Sequence, residues 1–374
     1  MLSTTEAREK AFLVAVDIAG RTTGRWTLDD SLEELANLAS TADVEVVGKM
    51  KQRLERPSRT YLGSGKLKDL ASLKEETGYD VVIFDDELSP RQQKNLEDVL
   101  DVKVIDRTAL ILDIFSKRAQ THEGKLQVEL AQNEYLLPRL AGQWSHLERL
   151  GGGIGTRGPG EMQLETDRRL VERRIHRLTK ELREVRKHRT LYRTNRKRTG
   201  IPVVALVGYT NAGKSTLLNT LSGADVLVAD KLFATLDPTT RRLRLPNSET
   251  VLLTDTVGLI HKLPTTVVAA FRATLEELDE ADLLLHVVDI THKNAAEQCQ
   301  TVEDILADLG LEQKPRLTLL NKIDILPADG PNADELGQKL QIPAESMLLI
   351  SAAKGTGLEQ LLQRMSEMQI MSKA

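Results

Sequence analysis

The chain contains the stretch Gly208-Tyr209-Thr210-Asn211-Ala212-Gly213-Lys214-Ser215. This stretch fits the pattern G-x-x-x-x-G-K-[ST], and it lies between the apolar run at 203–207 and a helix-like run that continues through Thr216. A short buried strand, a glycine loop and a helix are the context in which this pattern binds phosphates. Glycine lets backbone N–H groups close around the phosphates, and the Lys214 ammonium reaches the outer ones. The stretch therefore predicts a P-loop nucleotide-binding domain of the α/β class.

Polar residues at the ends of two later apolar runs indicate the base. A carboxylate at Asp324 can accept hydrogen bonds from two edge donors of guanine, which adenine does not offer. Lys322 would lie along the base, and Asn321 would join this loop to the phosphate loop. The Ala352 N–H would then meet the guanine oxygen. The predicted base-binding residues are Asn321, Lys322, Asp324, Ser351, Ala352 and Ala353.

Contacts to Mg²⁺ and the γ-phosphate are expected at Asp255-Thr256-Val257-Gly258, which follows the apolar run 250–253. Asp255 would hold Mg²⁺ through water, and the Ser215 hydroxyl would bind the ion directly. The Gly258 N–H would sense the γ-phosphate. Mg²⁺ is thus the expected cofactor, with GTP and GDP as the expected ligands.

The first switch is expected at residues 224–241, which contain Phe233-Ala234-Thr235-Leu236-Asp237-Pro238-Thr239-Thr240-Arg241. A threonine hydroxyl must close over Mg²⁺ and the γ-phosphate, and Thr235 is the predicted one. Thr239 and Thr240 remain alternatives, because turn chemistry favours threonine beside proline in any case. Phe233 and Ala234 are expected at the nucleotide. The groups predicted to act in the reaction are Lys214, Thr235 and Gly258.

Leu259 follows Gly258, at the position where a glutamine orients the attacking water in Ras-like proteins. A leucine side chain cannot orient water. We therefore expect slow hydrolysis by the protein alone, with a partner or another residue completing the site. His261 is one candidate, although a solvated side chain is the more ordinary role for such a histidine.

Composition places the protein in a reducing compartment. The 374 residues are enough for two or three domains, and the single cysteine, Cys299, excludes an internal disulfide. The first residues lack the apolar core of a signal peptide, and no run approaches transmembrane length. We expect a cytoplasmic protein without a membrane segment, divided at 1–115, 116–198 and 199–374.

The formal net charge of −4 hides a strong asymmetry. Residues 168–198 contain fourteen Lys or Arg and three acidic residues, which leaves the rest of the chain near −15. Such an imbalance indicates contact with a nucleic-acid backbone, whereas a solvated helical face usually balances its charges. The arginines expected to make this contact are Arg168, Arg169, Arg173 and Arg177.

Residues 11–108 alternate apolar strands with helical patterns, which predicts a small α/β domain with a largely parallel sheet. Asp29 or Asp30 could cap its first helix, a second helix is expected at 64–77, and Ser89-Pro90 should start a third.

Two runs of near-heptad spacing follow this domain. The first has Leu126, Leu130, Leu137 and Leu140 with polar Asn133 at the missing position, and the second has Val171, Ile175, Leu178, Leu182 and Val185. They predict an antiparallel helical hairpin. Its tip, 150–161, is too rich in glycine to form a core. We interpret the tip as a binding surface, with a flexible linker as the alternative. Its predicted contact residues are Gly151, Gly152, Gly153, Gly155, Arg157 and Gly158.

The order of these parts resembles the HflX family of GTPases. The resemblance covers nearly the whole chain, and it is most specific in the tip from Leu150 to Glu161 and in the switch from Phe233 to Arg241. It implies a cytoplasmic, monomeric GTPase that binds the large ribosomal subunit and its rRNA. Such proteins set the tip near the peptidyl-transferase region and split stalled ribosomes under heat or antibiotic stress, so ribosomes should stimulate hydrolysis.

The resemblance leaves several questions open. Some family members carry a further C-terminal domain, whereas this sequence ends soon after a helix expected from Leu358 to about Met368, so no function of that domain is carried over. A GTPase that assists large-subunit assembly would share every motif. A signalling switch with a protein partner is the other alternative, and a second nucleotide could bind the N-terminal domain.

Overall fold

The structure is a computed structural model that describes residues 8–19, 26–56, 58–140, 159–198, 200–223, 232–264, 267–268, 272–327 and 333–368. These residues form two compact units. The first unit draws on Met1–Lys117, Lys125–Leu182 and Pro264–Ala270, and the second on Arg118–Gly124, Arg183–Leu263 and Phe271–Ala374. The second unit thus includes Arg118–Gly124 and the residues after Leu182, which the sequence analysis assigned to the hairpin.

The first unit contains a four-stranded parallel sheet with the order β2-β1-β3-β4. Its strands are β1 Lys10–Ile18, β2 Glu45–Leu54, β3 Val81–Phe84 and β4 Lys103–Asp106. Its helices are α1 Leu28–Thr41, α2 Ser64–Thr77, α3 Pro90–Leu100 and α4 Arg107–Arg118. The apolar run at the centre of β1 is buried throughout, as expected for a parallel strand with cover on both faces. The predicted small α/β domain is confirmed.

The start of α1 differs from the prediction. Thr27 is the residue that caps this helix, because its hydroxyl accepts a hydrogen bond from the Asp30 N–H at 3.1 Å. Asp30 lies three positions later, and its carboxylate accepts from the Thr27 N–H at 3.2 Å. The two residues form a reciprocal capping box, so the expectation that Asp29 or Asp30 is the cap was wrong. Ser89 caps α3 as predicted, with Pro90 at the first helical position.

The helical region consists of α5 His122–Leu136, a 3₁₀ turn Leu137–Arg139 and the long helix α6 Pro159–Arg198. Arg174 of α6 pairs with Glu129 of α5, and Leu126, Leu178 and Leu182 are buried. The predicted tip residues Gly151, Gly152, Gly153, Gly155, Arg157 and Gly158 lie outside the described residues. The tip was predicted to extend to Glu161, but α6 already begins at Pro159, where proline needs no N–H partner.

The second unit contains a six-stranded sheet with the order β10-β9-β8-β5-β7-β6, in which only β6 is antiparallel to its neighbour. Its strands are β5 Val203–Gly208, β6 Thr239–Arg244, β7 Thr250–Asp255, β8 Leu283–Asp289, β9 Arg316–Asn321 and β10 Met347–Leu349. Its helices are α7 Lys214–Ser222, α8 Arg272–Glu280, α9 Ala295–Asp308, α10 Ala333–Leu340 and α11 Leu358–Glu367. Short 3₁₀ turns lie at Ile323–Ile325 and Ala344–Ser346. Among the described helices, none is both long and apolar enough to cross a membrane.

Candidate nucleotide site

The phosphate loop runs from the carboxyl end of β5 to the start of α7. Gly208 and Gly213 have φ values of 153° and 98°, which L side chains rarely adopt. A Cβ at Gly208 would overlap the Val287 carbonyl oxygen, and one at Gly213 would overlap the Asn321 amide. Both glycines of the sequence pattern are therefore required by backbone conformation and by close neighbours.

Lys214 lies within this loop with its side chain almost fully buried. Its Nζ donates hydrogen bonds to the carbonyl oxygens of Gly208 at 3.0 Å and Tyr209 at 2.7 Å. Burial lowers the pKa of Lys214 to about 8, while the Asp255 carboxylate acts in the opposite direction. The ammonium is thus held by the loop itself, where an added anionic group would favour its charged form.

A cleft of about 410 Å³ opens in front of the loop. Most of the residues predicted to contact phosphates line it. The lining residues are Thr210, Asn211, Gly213, Lys214, Ser215, Thr216, Phe233, Ala234, Thr235, Thr256 and Gly258. Gly208, Tyr209, Ala212, Asp255 and Val257 are not among them, and the side chains of Tyr209, Ala212, Asp255 and Val257 are buried. The cleft therefore brings together the phosphate loop, the first switch and the segment after β7.

Three oxygen-bearing side chains converge at one end of the cleft. The Ser215 hydroxyl lies 2.6 Å from Asp255 Oδ2 and 2.8 Å from the Thr235 hydroxyl. The other carboxylate oxygen, Asp255 Oδ1, is buried without a hydrogen-bond partner among the described residues. Burial also raises the pKa of Asp255, against the effect of the nearby Lys214 charge. Hard oxygen donors around a buried carboxylate fit Mg²⁺, which commonly uses one or two carboxylates together with phosphates and water.

The two alternative switch threonines lie elsewhere. Thr239 begins β6, and the Thr240 hydroxyl lies 2.9 Å from the Thr254 hydroxyl across the β6–β7 pair. Only Thr235 of the three lies beside Ser215 and lines the cleft. The geometry therefore favours Thr235 as the metal and γ-phosphate ligand.

The segment after Gly258 is fixed to the phosphate loop. The Leu259 N–H donates to the Gly208 carbonyl at 3.1 Å, and the Leu259 carbonyl accepts from the Thr210 N–H at 2.8 Å. The Leu259 side chain is fully buried, and a Cβ at Gly258 would meet the Thr210 backbone. The His261 N–H donates to the Tyr209 hydroxyl at 2.7 Å, and His261 is not a lining residue of the cleft. The buried, apolar Leu259 side chain cannot orient a water molecule in the cleft.

The base-recognition residues form a connected group. The Asn321 amide donates to the Ala212 carbonyl at 2.8 Å, so it joins β9 to the phosphate loop in the way that was expected of this residue. The Ser351 hydroxyl donates to Asp324 at 2.6 Å, which orients the carboxylate. The Ala352 N–H donates to Asn321 Oδ1 at 2.9 Å. That N–H already has an acceptor within the protein, so a guanine oxygen would have to share or replace this bond.

Lys322 has a partner that the sequence analysis missed. Its Nζ lies 2.6 Å from Asp289 Oδ2, at the end of the neighbouring strand β8. Asp289 also accepts from the Thr291 N–H at 3.0 Å, which fixes the carboxylate. Asp289 is thus a second carboxylate at the base end of the site. Its position after an apolar strand was a usable signal, because carboxyl ends of adjacent parallel strands meet at one edge of a sheet.

The predicted phosphate-contacting arginines lie on α6. The side chains of Arg168, Arg169 and Arg177 are 65%, 65% and 58% exposed. Each pairs with a glutamate four residues away on the same helix. Arg173 is also exposed, and its Nε donates to the Arg169 carbonyl. Arg169, Arg173 and Arg177 are spaced four residues apart and form an accessible basic row on one face of α6, while Arg168 lies about 100° away around the helix.

Three family profiles match successive parts of the chain. Residues 29–116 match "GTP-binding GTPase N-terminal", 118–196 match "GTP-binding GTPase Middle Region" and 203–322 match "50S ribosome-binding GTPase". The GTPase HflX of Caldanaerobacter subterraneus subsp. tengcongensis is 51% identical over 359 residues, which are 95% of this chain and 79% of that protein. The chain belongs to the HflX GTPase family. The GTPase HflX of Escherichia coli is 46% identical, over 90% of this chain and 79% of its own length.

The match to solved structures also extends over nearly the whole chain. The structure of SsGBP in complex with GDP is 28% identical, covers 96% of this chain and 98% of its own, and superposes with a TM-score of 0.50. The family assignment and the P-loop geometry together make this protein a GTP-binding enzyme that hydrolyses GTP. As an HflX-family member, it carries the N-terminal and middle regions as well as the GTPase domain.

Proposed function

We propose that this HflX-family GTPase binds the large ribosomal subunit in its GTP form and splits or rescues stalled ribosomes. The observation that carries the proposal is the basic row on α6, in the same chain as a GTPase site that lacks a water-orienting side chain at Leu259. The description "50S ribosome-binding GTPase" of the matching profile supports the same partner. The site of action would be the cytoplasm.

The chemistry proposed for the site follows from its side chains. Lys214 would neutralise charge on the β- and γ-phosphates, while Thr235 and the Gly258 N–H would close over the γ-phosphate. Ser215, Thr235 and Asp255 would hold Mg²⁺, which supplies positive charge to the phosphate oxygens when it is bound. Asp324 would select guanine. Since Leu259 is buried, contact with the ribosome would complete the arrangement around the attacking water.

The α6 arginines are suited to exchange partners. Exposed ion pairs within one helix stabilise it by only about 0–1 kcal/mol each. An RNA phosphate could therefore replace each glutamate at small cost, and its counterions would be released. This predicts a steep fall in ribosome binding as salt concentration rises.

Replacing Arg168, Arg169, Arg173 and Arg177 together by glutamine is expected to weaken binding to large subunits and to flatten its salt dependence. The slope of log K against log salt should lose roughly one unit for each phosphate contact removed. The measurement is co-sedimentation of the full chain with purified large subunits and a non-hydrolysable GTP analogue over a KCl series. A matched control replaces four exposed cations of the first unit, Arg53, Arg56, Lys66 and Lys68.

Two outcomes would contradict the proposed contact. An unchanged slope in the α6 variant, or an equal loss in the control variant, would remove α6 as the rRNA-binding surface. Weak salt dependence of the unmodified protein would favour the signalling alternative. Binding to precursor particles in preference to mature subunits would instead favour a role in large-subunit assembly.

A further inference from the structure

We propose that Asp237 is a positioning residue that holds the first switch on the N-terminal end of α5 and so places Thr235 at the cleft. The inference rests on the proposed role of Thr235 as a ligand of Mg²⁺ and the γ-phosphate, and it does not depend on ribosome binding. Asp237 and the residues that bind or touch its carboxylate, Gln120, Thr121 and Gly124, all lie in the second unit.

The Asp237 carboxylate is bound by three donors at one place. It accepts hydrogen bonds from the Gln120 N–H at 2.7 Å, from the Thr121 N–H at 3.0 Å and from the Thr121 hydroxyl. The Thr121 oxygen in turn accepts from the Gly124 N–H at 3.0 Å, so Thr121 caps α5. Hydrogen bonds to an ionised carboxylate are stronger than neutral ones, and a negative charge is favoured at a helix N-terminus. Asp237 is therefore firmly held by the start of α5.

Asp237 and the cleft are separated by one residue. Thr235 reaches the Ser215 hydroxyl, and the Leu236 side chain between Thr235 and Asp237 is buried. Pro238 follows directly, and its ring restricts the backbone. With both neighbours of Leu236 fixed, the chain from Thr235 to Asp237 has little freedom. Release of Asp237 would therefore loosen Thr235.

The start of α5 is also held by an arginine of α6. Arg189 of α6 lies 3.4 Å from Glu123 of α5 and 3.1 Å from Glu277 of α8, and its side chain is only 17% exposed. A second glutamate of α8, Glu276, lies 3.9 Å from the same guanidinium. Arg189 of α6 thus links the start of α5 to α8, which follows the segment after Gly258 in the chain.

Gly124 shows how closely the Asp237 carboxylate packs against the start of α5. A Cβ at this position would overlap the Asp237 carboxylate oxygen, and Gly124 is buried. The obstacle would be the end of a flexible side chain, so an alanine here would displace the carboxylate and leave the backbone in place. Alanine also has a higher helix propensity than glycine. Gly124→Ala therefore separates the positioning role from the stability of α5.

The contact makes nucleotide state and the start of α5 thermodynamically linked. If GTP is bound more tightly when Asp237 is anchored, then a partner that binds and shifts the start of α5 changes the affinity for GTP. GTP then changes the affinity for that partner by the same factor. GDP lacks the γ-phosphate that Thr235 would contact, so its affinity should be indifferent to the anchor. Discrimination between the two nucleotides is the signature of this role.

The test uses the full chain and four variants: Asp237→Ala, Gly124→Ala, Thr121→Ser and, as a matched control at an exposed position of α9, Asp308→Asn. The measurements are the Kd values for GDP and for a non-hydrolysable GTP analogue, together with kcat and KM for GTP. Because they disturb charge-assisted hydrogen bonds, Asp237→Ala and Gly124→Ala should weaken binding of the analogue about tenfold. Both should also lower kcat. GDP affinity should stay within about twofold. Thr121→Ser keeps the hydroxyl and should behave like the unmodified protein.

Several results would overturn the proposal. Unchanged analogue affinity in both Asp237→Ala and Gly124→Ala would show that Thr235 is placed without the anchor. An equal loss for GDP and the analogue would reveal general damage to the fold. If Asp237→Ala fails to fold, Gly124→Ala decides alone. Loss of nucleotide discrimination in the Asp308→Asn control would also count against the assignment. The expected loss of discrimination in Asp237→Ala and Gly124→Ala, together with weak ribosome binding by the unmodified protein, would support this inference and challenge only the proposed function.

Discussion

Lys214→Ala is expected to lower kcat/KM for GTP hydrolysis by at least about a hundredfold. Removing one hydrogen-bond donor that stabilises charge developing in the transition state has an effect of this size in other enzymes. The reason lies in its position. The ammonium is held at the loop by the Gly208 and Tyr209 carbonyls, and it is the positive charge there that faces the cleft. Charge on the phosphoryl oxygens grows in the transition state, so its loss slows the reaction as well as weakening binding.

The Lys214→Ala variant should lose activity without losing thermal stability. Burial opposes the charged form of Lys214, which is why its pKa falls to about 8. Replacing a buried cation by alanine therefore removes a desolvation cost along with two hydrogen bonds, and we expect a Tm close to that of the unmodified protein. Lys339→Ala, on the exposed face of α10, is the control. Hydrolysis within a few-fold of normal in the Lys214 variant would contradict the assignment of this lysine.

Asp324→Asn is expected to exchange the base preference of the protein from guanine to xanthine. Asp324 follows β9, is held by Ser351 and remains exposed, so its second oxygen can face a base. Guanine presents two donors to this carboxylate. The NH₂ group of an asparagine would face the exocyclic amine of guanine, and two donors cannot form a hydrogen bond. Xanthine has a carbonyl at that position, which would accept a hydrogen bond from the asparagine. A site that loses a matched polar pair rejects the ligand strongly, so GTP affinity should fall at least about a hundredfold.

Competition between GTP and xanthosine triphosphate measures this change directly. Asp308→Asn makes the same chemical substitution on α9, away from the base-recognition residues, and should leave the preference unchanged. Equal losses for both nucleotides in Asp324→Asn would mean that the substitution damages the loop. A retained preference for GTP would show that another residue reads the base.

The fold could be predicted where local patterns are strong. Strand β5 is a continuous apolar run and β7 and β9 are mostly apolar at their centres, and parallel strands place the residues that follow them at one edge of the sheet. For that reason the sequence alone predicts that Lys214, Asp255 and Asn321 belong to one site. The glycines of the phosphate loop can also be predicted from the sequence pattern, because their φ values and close neighbours exclude other residues.

The contacts that escaped prediction join distant parts of the chain. Asp237 meets Gln120 across 117 positions, and no local pattern indicates which turn a loop carboxylate will reach. The Lys322–Asp289 pair depends on the order of β8 and β9 in the sheet. Errors at element ends have a different cause. Thr27 and Asp30 both suit a helix start, and only the backbone decides which of them is the cap.

The most direct test of the proposed function is GTP hydrolysis by the full chain, alone and with purified large ribosomal subunits. The buried Leu259 side chain cannot orient water at the position after Gly258, so the protein alone should turn over slowly. Added large subunits should raise kcat strongly, and the increase should disappear in the variant that lacks the four α6 arginines. A rate that stays flat over a range of subunit concentrations would contradict the account and place the missing catalytic contribution in a different partner.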